Sequence, residues 1–359
     1  MFFITTFARM FTGTVLGVMS GSSLDGIDIA LCRFDRRDAQ WSFTVEAART
    51  VPYEGAMRQR LLQATAADGL ELARLHRDIG TAIGQGCKEL LQDHSADLIA
   101  SHGHTIFHQP DEGLTLQVGS GAHIAAITGL PVVSDFRTLD VALGGQGAPL
   151  VPFGERHLFP GHASFVNLGG IANLSVHRGS ETLGHDICPC NQALDLLASE
   201  AGMAFDAGGA KARTGTVEPA LLARLNALPF YGQAPPRSLG REWFDEWMKP
   251  LIGAPLPLED RLSTVTEHIA GLVASELDTL GVQAALFTGG GAHNAFLIAR
   301  IAALGKARPV LPSAALIDYK EAVIFAFLGL LRWLGEPNTL ASVTGASRDS
   351  MGGTVHVPN

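Results

Sequence analysis

Apolar and polar positions divide the chain into two similar runs of elements. The apolar stretch Thr14–Met19 enters a polar turn built from Ser20, Gly21, Ser22, Ser23, Leu24, Asp25 and Gly26. Ile27, Ile29 and Leu31 then alternate on the way out, with Asp28 between them. This pattern predicts strand, tight turn, strand. Trp41–Ala48 reads as a third strand. Leu72, Leu75, Ile79, Ile83, Cys87 and Leu90 recur at helical spacing and predict a helix over Glu71–Leu91. Asp97–Ser101 reads as a short buried strand, followed by a loop through His102, His104, Thr105 and His108. Pro131–Ser134 reads as another strand, running into Asp135, Phe136 and Arg137. Polar residues at the carboxyl ends of strands are where open α/β sheets hold ligands.

The second half restarts the theme. Ser164–Val176 is again strand, Gly-rich turn and strand, with Asn167, Gly169, Gly170 and Asn173 in or beside the turn. Pro229–Arg241 is rich in Pro and Gly and reads as a loop. A helix over Val265–Leu280 leads to an Ala284–Phe287 strand. That strand runs into Gly289, Gly290, Gly291 and Asn294, then into a helix with Phe296, Leu297 and Ile301 on its buried side. Ala322–Leu334 reads as a buried helix, too short to span a bilayer without strain. The Gly144–Pro149 loop is a candidate hinge between domains of residues 1–150 and 151–359, with the last helix and tail free to pack back on the first domain. One Gly-rich turn is weak evidence, because Gly, Ser and Asp serve any turn. Two such hairpins and a Gly-Gly-Gly turn are the pattern of a duplicated nucleotide-binding architecture.

Composition narrows the classes. The 359 residues are 47% hydrophobic, enough for two sizeable cores. Net charge is −9 and no Lys/Arg cluster appears, which argues against a nucleic-acid surface. No stretch reads as a membrane span. Cys32, Cys87, Cys188 and Cys190 have neither disulfide density nor metal-site spacing, which suits a reducing cytoplasm. Met1–Met10 is apolar with no basic region ahead of it, which favours an extended start over a signal peptide.

The Ser20–Asp28 turn has the chemistry to wrap a phosphate chain, and Asp25 beside it to hold hydrated Mg²⁺. No Lys follows, so this is not the common P-loop. Around these turns the chain resembles the anhydro-N-acetylmuramic acid kinase family. The matching stretches are Gly17–Gly26, Ser101–Thr105, Asp135–Arg137, Gly144–Pro149, Asn167–Asn173, Gly240–Glu242, Gly289–Asn294, Glu321–Ala322 and Val343–Ala346, in the family's order and over almost the whole chain.

The resemblance implies two ribonuclease H-like domains of the actin-like ATPase type, each α/β with a mixed sheet flanked by helices, around a cleft. It implies ATP and Mg²⁺ as cofactors. Gly21–Asp28, with Ile27 included, and Asn167, Gly169 and Gly170 would hold phosphates. Gly289, Gly290, Gly291 and Asn294 would meet adenosine. His104, Thr105, Gln117, Asp135, Arg137 and Glu321 would contact the sugar, and Asp25 the metal. Asp186 would be the catalytic base. The family's catalytic loop is of the Gly-Phe-Asp-Thr-Gly-Pro-Gly-Asn type. Here Asp186, Pro189 and Asn191 match it, while His185, Ile187, Cys188 and Cys190 depart.

Each residue also has a plainer reading. Asp186 suits an Asx turn onto the Cys188 backbone as well as it suits a base. His102, His104 and His108 have metal-ligand chemistry, sugar-contact chemistry or ordinary loop packing open to them. Arg137 fits either a fork onto a carboxylate or a surface pair with Asp135. Glu321 reads as a helix-capping charge. The expected activity is ATP-dependent, water-consuming phosphorylation of 1,6-anhydro-N-acetylmuramic acid in cell-wall recycling. The alternatives are a conventional sugar kinase and a non-catalytic ATP-binding sensor. The expected partner is a small amino sugar, with a homodimer left open.

Overall fold

The computed structural model describes residues 11–21, 24–38, 40–179, 181–235 and 237–358. Ser22, Ser23 and the Met1–Met10 start lie outside them. The chain divides into two compact units, residues 1–160 with 319–359, and 161–318.

Unit 1 opens with β1 (Phe11–Met19), β2 (Gly26–Arg37) and β3 (Gln40–Pro52), an antiparallel meander. The alternation read in the sequence sets one face of it, where Leu16, Val18, Ile27, Ile29 and Leu31 are buried together in one core. The helix Gly69–Leu90 follows. Asp68 caps it by accepting the Glu71 backbone N–H at 2.8 Å, and Leu75, Ile79, Ile83 and Cys87 form its buried face. Next come β4 (Leu98–Ser101), β5 (His104–Gln109), β6 (Leu114–Val118) and β7 (Val132–Ser134). β4 runs parallel to β1, and β7 parallel to β4.

Unit 2 repeats the topology. β8 (Ser164–Leu168), β9 (Ile171–Arg178) and β10 (Glu181–Pro189) form a second antiparallel meander. β11 (Ala284–Thr288) lies parallel to β8, and β12 (Arg308–Val310) parallel to β11. The strand order β10-β9-β8-β11-β12 is that of β3-β2-β1-β4-β7, and unit 1 adds β13 (Thr354–His356) antiparallel on β7. Two mixed sheets of one topology, each flanked by helices, are the duplicated ribonuclease H-like architecture of the actin-like fold. The Leu258–Thr279 helix supplies much of the unit 2 core, through Leu262, Val265, Ile269, Val273 and Leu277.

Several boundaries depart from the expectation. Ser101–His108 is not all loop, because β5 starts at His104 and pairs with β6 in a two-stranded sheet. The last long helix begins at Ala314 and runs to Leu334, so Glu321 lies inside it and is not a cap. The Gly144–Pro149 loop lies within unit 1, and the division between the units falls at 160/161.

Gly17 has a packing reason to be glycine. A Cβ there would drive into the Ala322 carbonyl, where the Ala314–Leu334 helix crosses β1. Gly17→Ala is expected to cost roughly 1–3 kcal/mol of stability through overpacking. A chemical-denaturation midpoint equal to wild type would show that this contact yields freely.

Candidate active site

In unit 1 the β1–β2 turn is anchored from behind. Ser20 is buried, and its hydroxyl sits 2.6 Å from the Tyr53 hydroxyl and 2.8 Å from His104 Nδ1. Leu24 holds φ at +59° with its side chain in the core. That conformation is uncommon for a bulky residue and needs surroundings that enforce it. Asp25 is exposed at the turn, while Asp28 accepts the Thr50 hydroxyl at 2.6 Å. Ile27 turns its side chain into the core and pairs with Val51 of β3. Gly21 and Gly26 flank the turn.

His104, Thr105 and Gln117 come together across the β5–β6 pair, where Thr105 faces Gln117. Gln117 Nε2 donates to Thr115 Oγ1 at 2.8 Å and reaches Thr105 Oγ1 at 3.4 Å, while its Oε1 is buried without a partner. Burial pushes the His104 imidazole down to about 4, so it is neutral at pH 7. His102 is also buried and pushed well below its ordinary range, first by burial and then by the Arg137 charge. Its Nε2 accepts the Arg137 Nε–H at 2.9 Å, which leaves Nδ1 to donate to the Gly103 carbonyl at 3.0 Å. No group of three or more His, Cys, Asp or Glu able to hold a metal occurs among the described residues.

Arg137 is aimed by two bonds. Besides His102, its Nη1 donates to the Gly147 carbonyl at 2.6 Å. Asp140, fully buried one helical turn on, holds the same loop by accepting the Gly147 N–H at 2.7 Å and the Thr344 hydroxyl at 2.8 Å. Arg137 makes no ion pair with Asp135, so the surface-pair reading fails. Asp135, at φ +58°, instead accepts the Thr138 N–H at 3.3 Å at the start of the next short helix. Burial pushes the Glu321 carboxyl up, with Lys320 and Arg137 offsetting part of the rise and Glu155 adding to it.

In unit 2 the turn Gly169–Gly170 joins β8 to β9. Its carbonyls accept the backbone N–H groups of Cys190, Asn191 and Gln192, at the start of the Asn191–Ser199 helix. Asn191 Nδ2 also donates to the Leu168 carbonyl at 2.9 Å. The Gly289–Gly291 turn lies directly against this hairpin. Gly289 has φ +80°, and a Cβ there would stand 2.6 Å from Asn167 Oδ1 and 2.8 Å from the Leu168 carbonyl carbon. Gly290 is exposed between the two packed glycines. Asn294 caps the Ala295–Leu304 helix by accepting the Leu297 N–H at 3.0 Å.

Asp186 sits near the end of β10, at a bulge between Asp186 and Cys188. No Asx bond to Cys188 forms. Its Oδ2 accepts the Leu239 N–H at 2.8 Å and the Ser238 hydroxyl at 3.3 Å, and among the described residues nothing donates to its Oδ1. Burial pushes its carboxyl up, and those two donors and His185 offset part of the rise. Sequence reasoning missed Arg237, Ser238 and Leu239. The only signal was their place just ahead of Gly240-Arg-Glu242.

Cys188 and Cys190 are fully buried, and burial pushes both thiols up, Cys190 to about 12. Such thiols are inert and not metal-ready. The double variant Cys188→Ala, Cys190→Ala is expected to keep its turnover. Stoichiometric zinc in the wild type, lost in the variant, would contradict that.

Residues 13–358 match the family model described as anhydro-N-acetylmuramic acid kinase. A protein of that name from Gloeobacter violaceus is 37% identical over 370 residues, covering 95% of this chain and 98% of its own. Another from Chromobacterium violaceum is 37% identical over 357 residues, covering 93% and 96%. A third, from Xanthomonas oryzae pv. oryzae, is 38% identical over 366 residues, covering 95% and 96%. Among solved structures, a ROK family glucokinase from Streptomyces griseus in complex with glucose and AMPPNP gives a TM-score of 0.43 at 14% identity, covering 89% of this chain and 99% of its own. Matched over nearly its whole length and at these identities, the chain belongs to the anhydro-N-acetylmuramic acid kinase family.

Proposed function

We propose that this chain uses ATP and water to convert 1,6-anhydro-N-acetylmuramic acid to N-acetylmuramic acid 6-phosphate and ADP, a step of peptidoglycan recycling. The observation that carries the reading is the half-engaged carboxylate of Asp186. Two donors fix Oδ2, and Oδ1 is left to accept a proton. Burial raises its basicity above that of an ordinary carboxylate.

In this reading Asp186 takes a proton from a water that attacks the anomeric carbon. The bond from that carbon to the bridging oxygen breaks. The freed sugar oxygen takes the γ-phosphoryl group, and ADP leaves. The two hairpin turns hold the phosphates through backbone N–H groups. Gly289–Gly291 and Asn294 face adenosine. Arg137, already oriented by His102 and Gly147, offers its remaining donors to the lactyl carboxylate. His104, Thr105, Gln117, Asp135 and Glu321 address the rest of the sugar. The protein's share of the work is positioning and charge stabilisation, as phosphoryl transfer generally requires.

Asp25 fits a divalent cation of the Mg²⁺ type. It is an exposed carboxylate at the β1–β2 turn and carries no ion pair among the described residues. Such an ion takes one or two carboxylates, phosphate oxygens and water, and it neutralises phosphate charge when bound.

The test is product mass in heavy-oxygen water, quenched before the anomeric hydroxyl exchanges. A phosphorylated, ring-opened sugar carrying one heavy oxygen is expected. A phosphorylated sugar that keeps its anhydro bridge would favour a conventional kinase. ATP binding without turnover on any amino sugar would favour a sensor. Among the described residues no helix is long and apolar enough to cross a membrane.

A further inference from the structure

Behind Asp186 lies a charged assembly that the proposed reaction does not use. Residues 237–239 run beside β10 outside the regular sheet. The Asp186 N–H donates to the Arg237 carbonyl at 3.0 Å, and Arg237 Nε donates back to the Asp186 carbonyl at 3.2 Å. The next two residues supply both donors to Asp186 Oδ2. This segment is tied down at one charged point. Arg237 Nη2 donates to Glu276 Oε2 at 2.9 Å, and His185 Nε2 donates to Glu276 Oε1 at 2.7 Å. Glu276 thus spans the residue before Asp186 and the segment bonded to it. The His185 side chain is 0% exposed, Arg237 9% and Glu276 17%. Arg237 is braced further by the Gln233 carbonyl at 2.8 Å and by the Phe230 ring, 5.3 Å from its guanidinium carbon.

We infer that Glu276 is a positioning residue for Asp186: by bridging His185 and Arg237 it holds the Ser238–Leu239 donors on one carboxylate oxygen and leaves the other open. The inference rests on the reading of Asp186 as the base. A bridge this well enclosed fixes geometry, because releasing Arg237 leaves a charge with little water around it, and releasing His185 leaves a buried ring N–H without its acceptor. The groups facing Asp186 are His185 and Cys188 on its own strand and Arg237 on the bonded segment, with Glu276 behind them. Asn173, opposite on β9, carries no charge. Hydrogen bonds to the charged form lower a carboxyl's pKa, so loosening Ser238 and Leu239 raises it.

Glu276→Gln keeps the shape and removes the charge. Its kcat is expected to fall roughly 10- to 100-fold, with KM for ATP nearly unchanged. The acid limb of its kcat–pH profile moves to higher pH. Carbon-13 NMR, with the Asp186 signal assigned by its loss in Asp186→Asn, reads the same upward move directly. Arg237→Lys keeps a charge for Glu276 but loses the bonds to the Asp186 and Gln233 carbonyls, and a smaller move in the same direction is expected, so the inference stays testable if Glu276→Gln folds poorly. A lower melting temperature in both variants, with the Asp186 titration and the acid limb unmoved, would make the bridge merely structural and overturn the inference. If the titration moves but Asp186→Asn still turns over, the positioning stands and the reading of Asp186 as base fails. If Asp186→Asn is dead and the titration stays put, the base reading stands and the positioning fails.

Discussion

Asp186→Asn is expected to lower kcat by about 10²–10⁴-fold, the usual cost of losing a general base. The substitution is nearly silent for the fold. An asparagine oxygen in place of Oδ2 still accepts from the Leu239 N–H and the Ser238 hydroxyl. The amide nitrogen then takes the open position, where it donates and cannot accept. ATP affinity should stay near wild type, because the Gly169–Gly170 and Gly289–Gly291 turns proposed to hold ATP keep their own bonds to Asn191, Leu168 and the Asn294 cap. Steady-state ADP release gives kcat, and calorimetric titration gives the ATP Kd. Turnover at the wild-type rate would remove Asp186 from the chemistry. The wild-type pH profile has a fixed sign. Burial pushes the Asp186 carboxyl up, so as pH falls it takes its proton earlier than an ordinary carboxylate would. The acid limb of kcat should therefore lie above the usual carboxylate range.

Arg137→Lys should raise KM for the muramic sugar by about 10- to 100-fold, the equivalent of a charged hydrogen bond worth roughly 1.5–3 kcal/mol. KM for ATP should move far less. Arg137 spends Nε on His102 and one Nη1 bond on Gly147. Those bonds orient the plane, and the remaining donors form the fork. A lysine keeps charge but has no plane to orient. The neutral His102, an acceptor at Nε2, would lose its donor as well. The comparison sugar is anhydro-N-acetylglucosamine, which lacks the lactyl group. The variant should lose most of the preference that wild type shows for the muramic sugar. If the preference is unchanged, Arg137 does not read the carboxylate and serves only to tie His102 to the Gly147 loop.

Much of this was legible where one segment carries its own pattern. β1, β2 and the long helices announce themselves through alternation or helical spacing, and both Gly-rich hairpins read directly. The misses share a cause. β5 mixes His104, Thr105, Ile106, Phe107 and His108 with a bulge between Thr105 and Phe107, so no clean alternation survives. β12 and β13 have three residues each, too few for a period. Asp318, Tyr319 and Lys320 hid the first turns of the last long helix, which made Glu321 look like a cap. The donors on Asp186 come from 52 and 53 residues along the chain, and no local pattern points across that gap.

The division of the chain has a consequence for synthesis. Unit 2 is one continuous stretch, 161–318, inserted between the two pieces of unit 1, and its end falls inside the Ala314–Leu334 helix. A nascent chain can therefore finish unit 2 while unit 1 still lacks β13 and the helical turns that cover Gly17 and Gly154. Domains tend to close as they emerge. Here the first domain begun is the last one completed, and until residues 319–359 arrive it waits with an open sheet edge and uncovered strands, the features that make a growing chain prone to aggregate.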